Sequence, residues 1–247
     1  MNTLLRIFKF LWVGFWVCLA TIAIFIPIVA VSLLSPTGNL PFILSKVWAW
    51  IMLKVTWVRL KSRGNDNILQ GQSYIIISNH QSHFDSLALV IKLGIQFRWI
   101  TKKELRKIPF FGFALYKSRN IFIDRSDRQK AVESIRDGMK RLPAGISVMF
   151  FVEGTRSPDG KIHEFKKGGF ATAVESGLPI LPVTVNGSRK ILPKKALAFN
   201  PGVIEVVIGK PVVTENYTHD NLEELMDKTR NIIVSNFNPD YPGKSVS

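Results

Sequence analysis

From Phe10 to Leu34 the chain carries no charged residue, and most of its side chains there are apolar. At about 1.5 Å of rise per residue, a helix of this length reaches across the ~30 Å hydrocarbon core of a bilayer. The segment is apolar on every side, which is typical of contact with lipid rather than with a soluble core. Pro27 predicts a kink within it. The sequence therefore predicts a hydrophobic helical membrane anchor near the N-terminus.

A cleaved signal peptide is the competing interpretation of this segment. The apolar region is longer than the usual signal-peptide core, and a single cysteine, Cys18, does not suggest an exported, disulfide-bonded protein. That cysteine lies within the apolar run, which favours burial in lipid or protein over reactivity. The anchor is the favoured interpretation.

A second apolar segment, Leu40–Val58, contains three tryptophans and two lysines, a mixture typical of a membrane interface. Pro36 to Asn39 predicts the turn between the two segments. Basic residues flank both segments, so the distribution of positive charge does not fix their orientation. Two arrangements stay open: a helical hairpin that enters one leaflet, or a single span followed by an interfacial helix.

Beyond about Val55 the pattern changes to short apolar runs that alternate with amphipathic segments. The predicted strands are Thr56–Leu60, Tyr74–Ser78, Phe97–Thr101, Asn120–Ile123, Ile146–Val152, Ile180–Val185 and Val203–Ile208. Predicted helices include a run after Asp85 that ends at Gly94, together with Asp127–Leu142, Lys167–Ser176 and Leu222–Phe237. This order predicts an α/β domain with a mixed, largely parallel sheet flanked by helices, in which the last strand adds an antiparallel edge. We divide the chain into an anchoring segment, 1–55, and a domain, 56–247.

His80 lies on the turn between a predicted strand and a predicted helix, where open α/β sheets bind their ligands. Imidazole is the side chain most easily used as a base near neutral pH. Asp85, in the following helix, can accept the imidazole N–H and leave the other ring nitrogen free to take a proton. Two other interpretations stay open: Ser82 and Asp85 also form a capping box, and His83 is a second histidine nearby.

Four further motifs follow His80-x-x-x-x-Asp85. They are Lys102-Lys103-Glu104-Leu105, Phe122-Ile123-Asp124-Arg125, Glu153-Gly154-Thr155-Arg156-Ser157 and Leu181-Pro182-Val183. In this order they resemble the glycerolipid acyltransferase family, and the bacterial 1-acylglycerol-3-phosphate acyltransferases in particular. The resemblance extends from about Trp57 to Gly209. It implies that His80 is the catalytic base held by Asp85, and that an acyl chain passes from an acyl thioester to the free hydroxyl of a lysophospholipid.

The resemblance also implies a binding site for the acceptor. It assigns Lys102 and Arg125 to the glycerophosphate, Arg156 to the phosphate and Glu153 to the glycerol. Gly154 would allow the backbone to approach a ligand closely, and Thr155 lies between Gly154 and Arg156 in the sequence. From the residues alone, Glu153 and Arg156 could equally form an ion pair with each other.

Two departures from the family pattern concern Arg119, where glycine is usual, and Val152, where proline is usual. Arg119 predicts extra positive charge near the acceptor and therefore leaves open another lysolipid headgroup. Val152 lies in a strand and predicts only a local change in the turn.

Lysine and arginine exceed aspartate and glutamate by 33 to 18, a net charge of +15 that predicts an anionic partner such as phosphate or an acidic membrane. Ten basic residues crowd the stretch from Arg98 to Lys130, mostly as a solvated basic surface. No interleaved aromatic platform favours nucleic acid. No residue spacing indicates a metal site, and the resemblance implies no cofactor apart from acyl-carrier protein or coenzyme A on the donor.

The competing function is a membrane-anchored protein that binds anionic lipid without catalysis. Such a protein would not need His80 paired with Asp85. For the acyltransferase, the soluble donor implies a bacterial inner-membrane location with the catalytic domain facing the cytoplasm. The acyl chain length is left open.

Overall fold

The computed structural model of the chain describes residues 3–35, 37–196 and 198–241. Outside these residues lie Pro36 of the predicted turn, the side chain of Arg128, and residues 242–247 of the C-terminal stretch Asn238–Ser247, which its prolines and glycine predict to be loose. Helices α1, Thr3–Leu34, and α2, Asn39–Val55, come first. Helix α1 continues through Pro27.

Seven strands form one sheet in the order β1-β7-β6-β2-β5-β3-β4. The strands are β1 Val58–Arg63, β2 Ile75–Ser78, β3 Phe97–Lys102, β4 Ile121–Ile123, β5 Ser147–Phe151, β6 Ile180–Asn186 and β7 Gly202–Ile208. All neighbouring strands are parallel except β6 and β7, which are antiparallel. The mixed, largely parallel sheet is confirmed.

Two details of the predicted sheet are wrong. Strand β7 is antiparallel to β6 as predicted, but it is not an edge, because β1 pairs with its other side. Strand β1 begins at Val58 rather than at Thr56, because Trp57 has a φ of 53° and directs the chain out of α2 through a tight turn. A left-handed backbone conformation of this kind cannot continue a strand.

Helices cover both faces of the sheet. They are α3 Phe84–Lys92, α4 Phe111–Lys117, α5 Arg128–Lys140, α6 Gly168–Ser176, α7 Ser188–Ile191 and α8 Leu222–Ser235. Asp127 caps the start of α5 by accepting a hydrogen bond from the Lys130 amide, and Gly177 ends α6 with a φ of 65°. The sequence did not predict α4 or α7, both of which are short.

Helix α2 shares a hydrophobic core with the sheet. Phe42, Ala49 and Leu53 are almost completely buried and pack in the same cluster as α3 and the central strands. Helix α1 contributes a narrower stripe through Ala20 and residues one and two turns further on, and its other sides are largely exposed. The division of the chain at residue 55 stays a prediction, but the packing joins α2 to the domain.

Arg98 fastens the turn between α1 and α2 to strand β3. Its guanidinium, predicted to lie on a solvated surface, is fully buried, and Nη2 donates to the Thr37 carbonyl at 3.1 Å and to Asn39 Oδ1 at 2.6 Å. Nη1 donates to the Phe97 carbonyl, and the guanidinium lies over the Phe42 ring. Burial lowers the pKa of Arg98 to about 10. The prediction of a solvated Arg98 was wrong because Thr37 and Asn39, its partners in the turn, are about 60 residues away in the sequence.

Candidate active site

The predicted site residues meet at one edge of the sheet, because the strands that precede them are parallel and adjacent. His80 follows β2, the Glu153 loop follows β5, Lys102 ends β3 and Arg125 follows β4. In the sheet these strands occur in the order β2-β5-β3-β4. The carboxyl ends of parallel strands form the usual ligand-binding edge of such folds.

Asn79 holds the His80 turn against the neighbouring strand. Its side-chain amide donates to the Val185 carbonyl at 3.0 Å, and its Oδ1 accepts from the Val185 amide at 2.8 Å. Asn79 is completely buried. This pair of hydrogen bonds continues the pairing between β2 and β6 beyond the end of β2. It thereby fixes the position from which His80 projects.

Asp85 forms the predicted contact with His80. Nδ1 of His80 lies 2.8 Å from Oδ2 of Asp85, which also accepts from the Gln81 amide at 2.6 Å and from the Ser82 amide at 2.9 Å. Asp85 is fully buried, and its Oδ1 has no hydrogen-bond partner within the part of the chain that the structure describes. Because Nδ1 faces a carboxylate, Nε2 is the ring nitrogen available to accept a proton.

The alternative between a capping residue and an orienting residue is resolved, because Asp85 does both. Its bond to the Ser82 amide is one half of a capping box. The other half is altered: the Ser82 hydroxyl accepts from the Phe84 amide at 3.3 Å and donates to the Leu192 carbonyl at 2.8 Å. His83, the second candidate, is exposed at the start of α3.

An aromatic stack covers one face of the His80 ring. The Phe151 ring lies parallel to the imidazole, with centroids 3.7 Å apart, and Trp99 stacks on Phe151 at 5.4 Å. Offset or stacked aromatic pairs of this kind are worth about 0.5–1.5 kcal/mol. Together with Asp85, this stack restricts the rotation of the imidazole about both of its side-chain bonds.

Beyond Trp99 lies an apolar cavity of about 130 Å³ between α1, α2, α3, α4 and β3. Its walls include Ile28, Trp48, Val90 and Phe111. Trp99 lines this cavity and belongs to the stack that ends at His80. An apolar side chain or an acyl chain could therefore be enclosed two rings away from the imidazole.

Glu153 connects two loops rather than pairing with Arg156. Oε1 accepts from the His80 amide at 2.8 Å, and Oε2 accepts from the His163 amide at 3.0 Å. The carboxylate is 6% exposed. Burial raises the pKa of Glu153, and the two backbone hydrogen bonds oppose that increase. These contacts give Glu153 a part in shaping the His80 loop, and its predicted contact with glycerol stays a prediction.

Gly154 joins Arg125 to the same loop. Nη1 of Arg125 donates to the Gly154 carbonyl at 2.7 Å. Gly154 has a φ of 73°, and a Cβ there would lie 2.9 Å from Nζ of Lys166. The backbone conformation favours glycine, and a side chain there would also displace the end of this lysine. Arg125 and Lys166 therefore place two positive charges beside Gly154 at the sheet edge.

Lys194 secures the remainder of the Glu153 loop. Its ammonium group donates to Thr155 Oγ1 at 3.1 Å and to the Arg156 carbonyl at 2.7 Å. The Ser157 amide donates to the His80 carbonyl at 2.8 Å, so the segment that carries Arg156 is tied directly to the candidate base. Thr155 and Arg156 are thus brought to the His80 edge as predicted.

Lys102 lies at the outer part of this edge. Its side chain is about half exposed, and its Nζ lies 3.9 Å from Glu104. The neighbouring Lys103 instead forms an ion pair with Asp124, which holds the end of β4 against the end of β3. No hydrogen bond joins Lys102 to Arg125 or His80 within the described residues, so its assignment to the acceptor stays a prediction.

Sequence reasoning missed Phe151, Lys166 and Lys194 as parts of the site. Lys166 belongs to a basic pair just before α6, which was a usable signal. Phe151 ends the most apolar strand and looked like an ordinary core residue. No sequence feature linked Lys194 to the site, since it lies 38 residues from Arg156.

Arg119 does not lie at the acceptor edge as predicted. It precedes β4, whereas Arg125 follows that strand, so the two arginines are at opposite ends of it. Its φ of 59° is the left-handed conformation that glycine adopts without strain. The prediction of extra charge near the acceptor is therefore wrong.

In residues 3–35, 37–196 and 198–241, no group of three or more histidine, cysteine, aspartate or glutamate side chains could hold a metal ion. The expectation that the chemistry needs no metal or cofactor stays a prediction.

The chain is similar to known proteins over most of its length. Residues 59–186 match the Acyltransferase family model. The chain is 37% identical to a Pseudomonas aeruginosa 1-acyl-sn-glycerol-3-phosphate acyltransferase, over 71% of this chain and 68% of that protein. It is 32% identical to the chloroplastic enzyme of that name from Brassica napus, over 79% of this chain and 55% of that protein.

A solved structure has the same fold. The crystal structure of the 1-acyl-sn-glycerophosphate acyltransferase PlsC from Thermotoga maritima superposes with a TM-score of 0.81 at 25% identity, covering 94% of this chain and 95% of that one. The chain spans only about half the length of some curated relatives, 55% and 53% for two plant proteins.

Proposed function

Because the chain belongs to the Acyltransferase family, we propose that it transfers an acyl chain from a soluble acyl thioester to the free hydroxyl of a lysophospholipid. The observation that carries the proposal is the 2.8 Å contact between His80 and a fully buried Asp85 at the carboxyl edge of the sheet. A non-catalytic lipid-binding protein has no need of such a pair. The names of the relatives favour 1-acylglycerol 3-phosphate as the acceptor and phosphatidic acid as the product.

The proposed reaction needs one base and no acyl-enzyme. Nε2 of His80 takes the proton from the acceptor hydroxyl as its oxygen attacks the thioester carbonyl. The new ester bond forms, the carbon–sulfur bond breaks, and the imidazolium returns the proton to the departing thiolate. Asp85 holds the tautomer that makes Nε2 the basic nitrogen and stabilises the imidazolium while it exists.

Arg125, Lys166 and Arg156 are proposed to bind the acceptor phosphate. Arg125 and Lys166 flank Gly154, and the segment carrying Arg156 is bonded to the His80 carbonyl. Guanidinium groups bind phosphate through paired hydrogen bonds. The apolar cavity behind Trp99 is proposed to receive an acyl chain, since its lining is almost entirely apolar and it lies next to the ring stack on His80.

The membrane is proposed to hold the acceptor while it reacts. Among the described residues, α1 is the one helix long and apolar enough to cross a bilayer. Its side nevertheless packs on the rest of the chain: Trp12 Nε1 donates to the Val55 carbonyl, and Phe25 contacts Phe110 edge-to-face. This side-on packing supports a helical hairpin in one leaflet rather than a perpendicular span. Because the donor is soluble and intracellular, the catalytic domain is proposed to face the cytoplasm. In a bacterial cell the membrane would then be the inner membrane.

The topology is tested with cysteines placed one at a time at Thr3 and at Lys61, an exposed residue of β1, in a chain whose Cys18 is changed to serine. A hairpin in one leaflet predicts that a membrane-impermeant maleimide labels both positions from the same side of sealed vesicles. Labelling from opposite sides would establish a span.

The function is tested with the purified full chain in liposomes that contain 1-acylglycerol 3-phosphate, with acyl-carrier protein and coenzyme A donors in separate reactions. Mass spectrometry of the lipids identifies the product. His80→Ala should lower turnover roughly a hundred- to ten-thousand-fold. His219→Ala is the matched control, because His219 is exposed and pairs with Glu175. Near-normal turnover by a folded His80→Ala protein would exclude the mechanism.

The same assay distinguishes the acceptors. Lysolipids with choline, ethanolamine or glycerol headgroups replace 1-acylglycerol 3-phosphate at equal concentration and equal chain length. Preference for a headgroup other than the bare phosphomonoester would establish a different member of the family. Binding of the lysolipid without any product would instead support the non-catalytic alternative.

A further inference from the structure

A second basic pocket lies beside the edge strand β4, apart from the His80 site. It encloses about 650 Å³. Strand β4 is three strands away from β2, roughly 14 Å at about 4.8 Å per strand. Its polar lining comprises Thr37, Arg106, Tyr116, Arg119, Asn120, Ser134, Asp137 and Arg141. Three guanidinium groups and one carboxylate give this pocket a positive balance that the proposed acyl transfer does not use.

Arg119 occupies its position despite backbone strain. Its φ of 59° lies in the region that glycine favours. The stem of its side chain packs against the turn between α1 and α2, since a Cβ added to Gly38 would lie 2.8 Å from Cγ of Arg119. Glycine would adopt this conformation without strain.

The other two arginines lie on separate elements around the same opening. The guanidinium of Arg106 lies 4.3 Å from the centroid of the Tyr116 ring, a cation–π contact that holds it at the wall. Arg141 directly follows the last residue of α5. Three elements thus present guanidinium groups to one volume, an arrangement that suits an anion with several oxygen atoms.

The surroundings of the pocket indicate the source of that anion. Thr37 of the turn between α1 and α2 lines the pocket. On either side of this turn, Leu33, Leu34 and Leu40 are exposed, the first two by 78% and 79%. Phe110, beside α4, is also 45% exposed. A basic pocket that opens next to exposed leucine and phenylalanine side chains matches a lipid headgroup above its hydrocarbon chains.

We propose that this pocket binds the phosphate group of an anionic phospholipid in the leaflet that holds the α1–α2 hairpin, as a non-catalytic second site. Such binding fastens the β4 side of the domain to the bilayer. It adds a headgroup-specific contact to the general attraction between the charge of the chain and an acidic membrane. The site goes beyond the proposed acyl transfer and does not depend on it.

The test compares the full chain with the double variant Arg119→Gly and Arg141→Gln. Glycine suits the backbone at position 119, and glutamine is tolerated at an exposed helix end, so the variant should fold. Sedimentation is measured with vesicles of pure phosphatidylcholine and with vesicles containing phosphatidylglycerol, at constant ionic strength. We expect the double variant to bind the anionic vesicles roughly tenfold more weakly and the neutral vesicles equally well.

A matched control removes the same charge elsewhere. Lys61→Gln with Lys210→Gln changes two exposed lysines, neither of which lines the pocket. A second arm titrates inorganic phosphate into the detergent-solubilised full chain and the double variant by calorimetry. Phosphate binding that only the double variant loses would establish the pocket with a free anion as its ligand. Equal behaviour of the double variant and the lysine control in both arms would overturn the proposal.

Discussion

The imidazole of His80 lies face to face with the ring of Phe151, with 3.7 Å between centroids and 10° between planes. Asp85 forms a hydrogen bond with Nδ1 of the same imidazole. The bond to Asp85 fixes which edge of the ring faces the carboxylate, and the stack on Phe151 fixes the plane of the ring. A proposed general base held in this way keeps Nε2 in place before the acceptor arrives.

Phe151→Leu is expected to reduce the turnover number about two- to tenfold without unfolding the protein, since an aromatic pair is worth about 0.5–1.5 kcal/mol. Leucine keeps most of the apolar volume, so the loss reports on the orientation of the imidazole. The measurement is kcat together with the thermal midpoint. Phe165→Leu, at a buried aromatic pair in the other core cluster, is the control. Equal losses of kcat in both variants would assign the effect to general packing.

Arg125→Ala is expected to raise the Michaelis constant for the acceptor roughly ten- to hundredfold and to leave that for the donor unchanged. A charge-assisted hydrogen bond contributes about 1.5–3 kcal/mol, and Arg125 also holds the Gly154 carbonyl. Arg125→Lys should recover only part of the loss, because the paired donors are absent. Arg136→Ala, at a surface ion pair, is the control. An effect confined to the donor would place Arg125 at the other substrate.

Glu153 is expected to make stability depend on pH. Its pKa is raised by burial, so the folded protein holds this proton more tightly than the unfolded chain. The contribution is therefore fully present below the ordinary glutamate pKa and is lost as the pH rises through the raised value. Glu153→Gln removes this titration, so the free energy of unfolding of the wild type should fall relative to the variant as the pH rises through the raised pKa.

Glu153→Gln should also destabilise the protein by about 1–3 kcal/mol at low pH, because an amide can accept from only one of the two backbone N–H groups. Thermal midpoints of both proteins, measured in neutral detergent across this pH range, provide the check. A difference between them that stays constant with pH would show that Glu153 does not titrate in this range.

Arg98→Met is expected to loosen the turn between α1 and α2. It leaves the Thr37 carbonyl and Asn39 Oδ1 without this donor, at a cost of about 1–3 kcal/mol. Amide hydrogen exchange should increase in residues 37–42 while the central strands stay protected. Arg59→Met changes an exposed arginine on β1 and serves as the control. Unchanged exchange in the turn would show that apolar packing of α2 alone holds it.

The parts of this structure that depend on neighbours in sequence could be predicted. Apolar runs indicated all seven strands, and His80 and Asp85 could be paired because a single turn separates them. The partners of Arg98 and Lys194 could not, since they lie about 60 and 40 residues away and many basic residues are equally possible. Glu153 was predicted only in part. Its place in the site was predicted, but its hydrogen bonds go to two backbone amides rather than to nearby Arg156.

Strand β1 pairs with β7 and with no other strand of the described sheet. During synthesis, α1 and α2 leave the ribosome before β1, and the partner of β1 is still some 140 residues away. The sheet therefore cannot close until residue 208 has been made. If α1 and α2 insert as proposed, they can therefore reach the bilayer before the sheet is complete. The last strand of the sheet, β7, thus pairs with the strand that directly follows the proposed anchor.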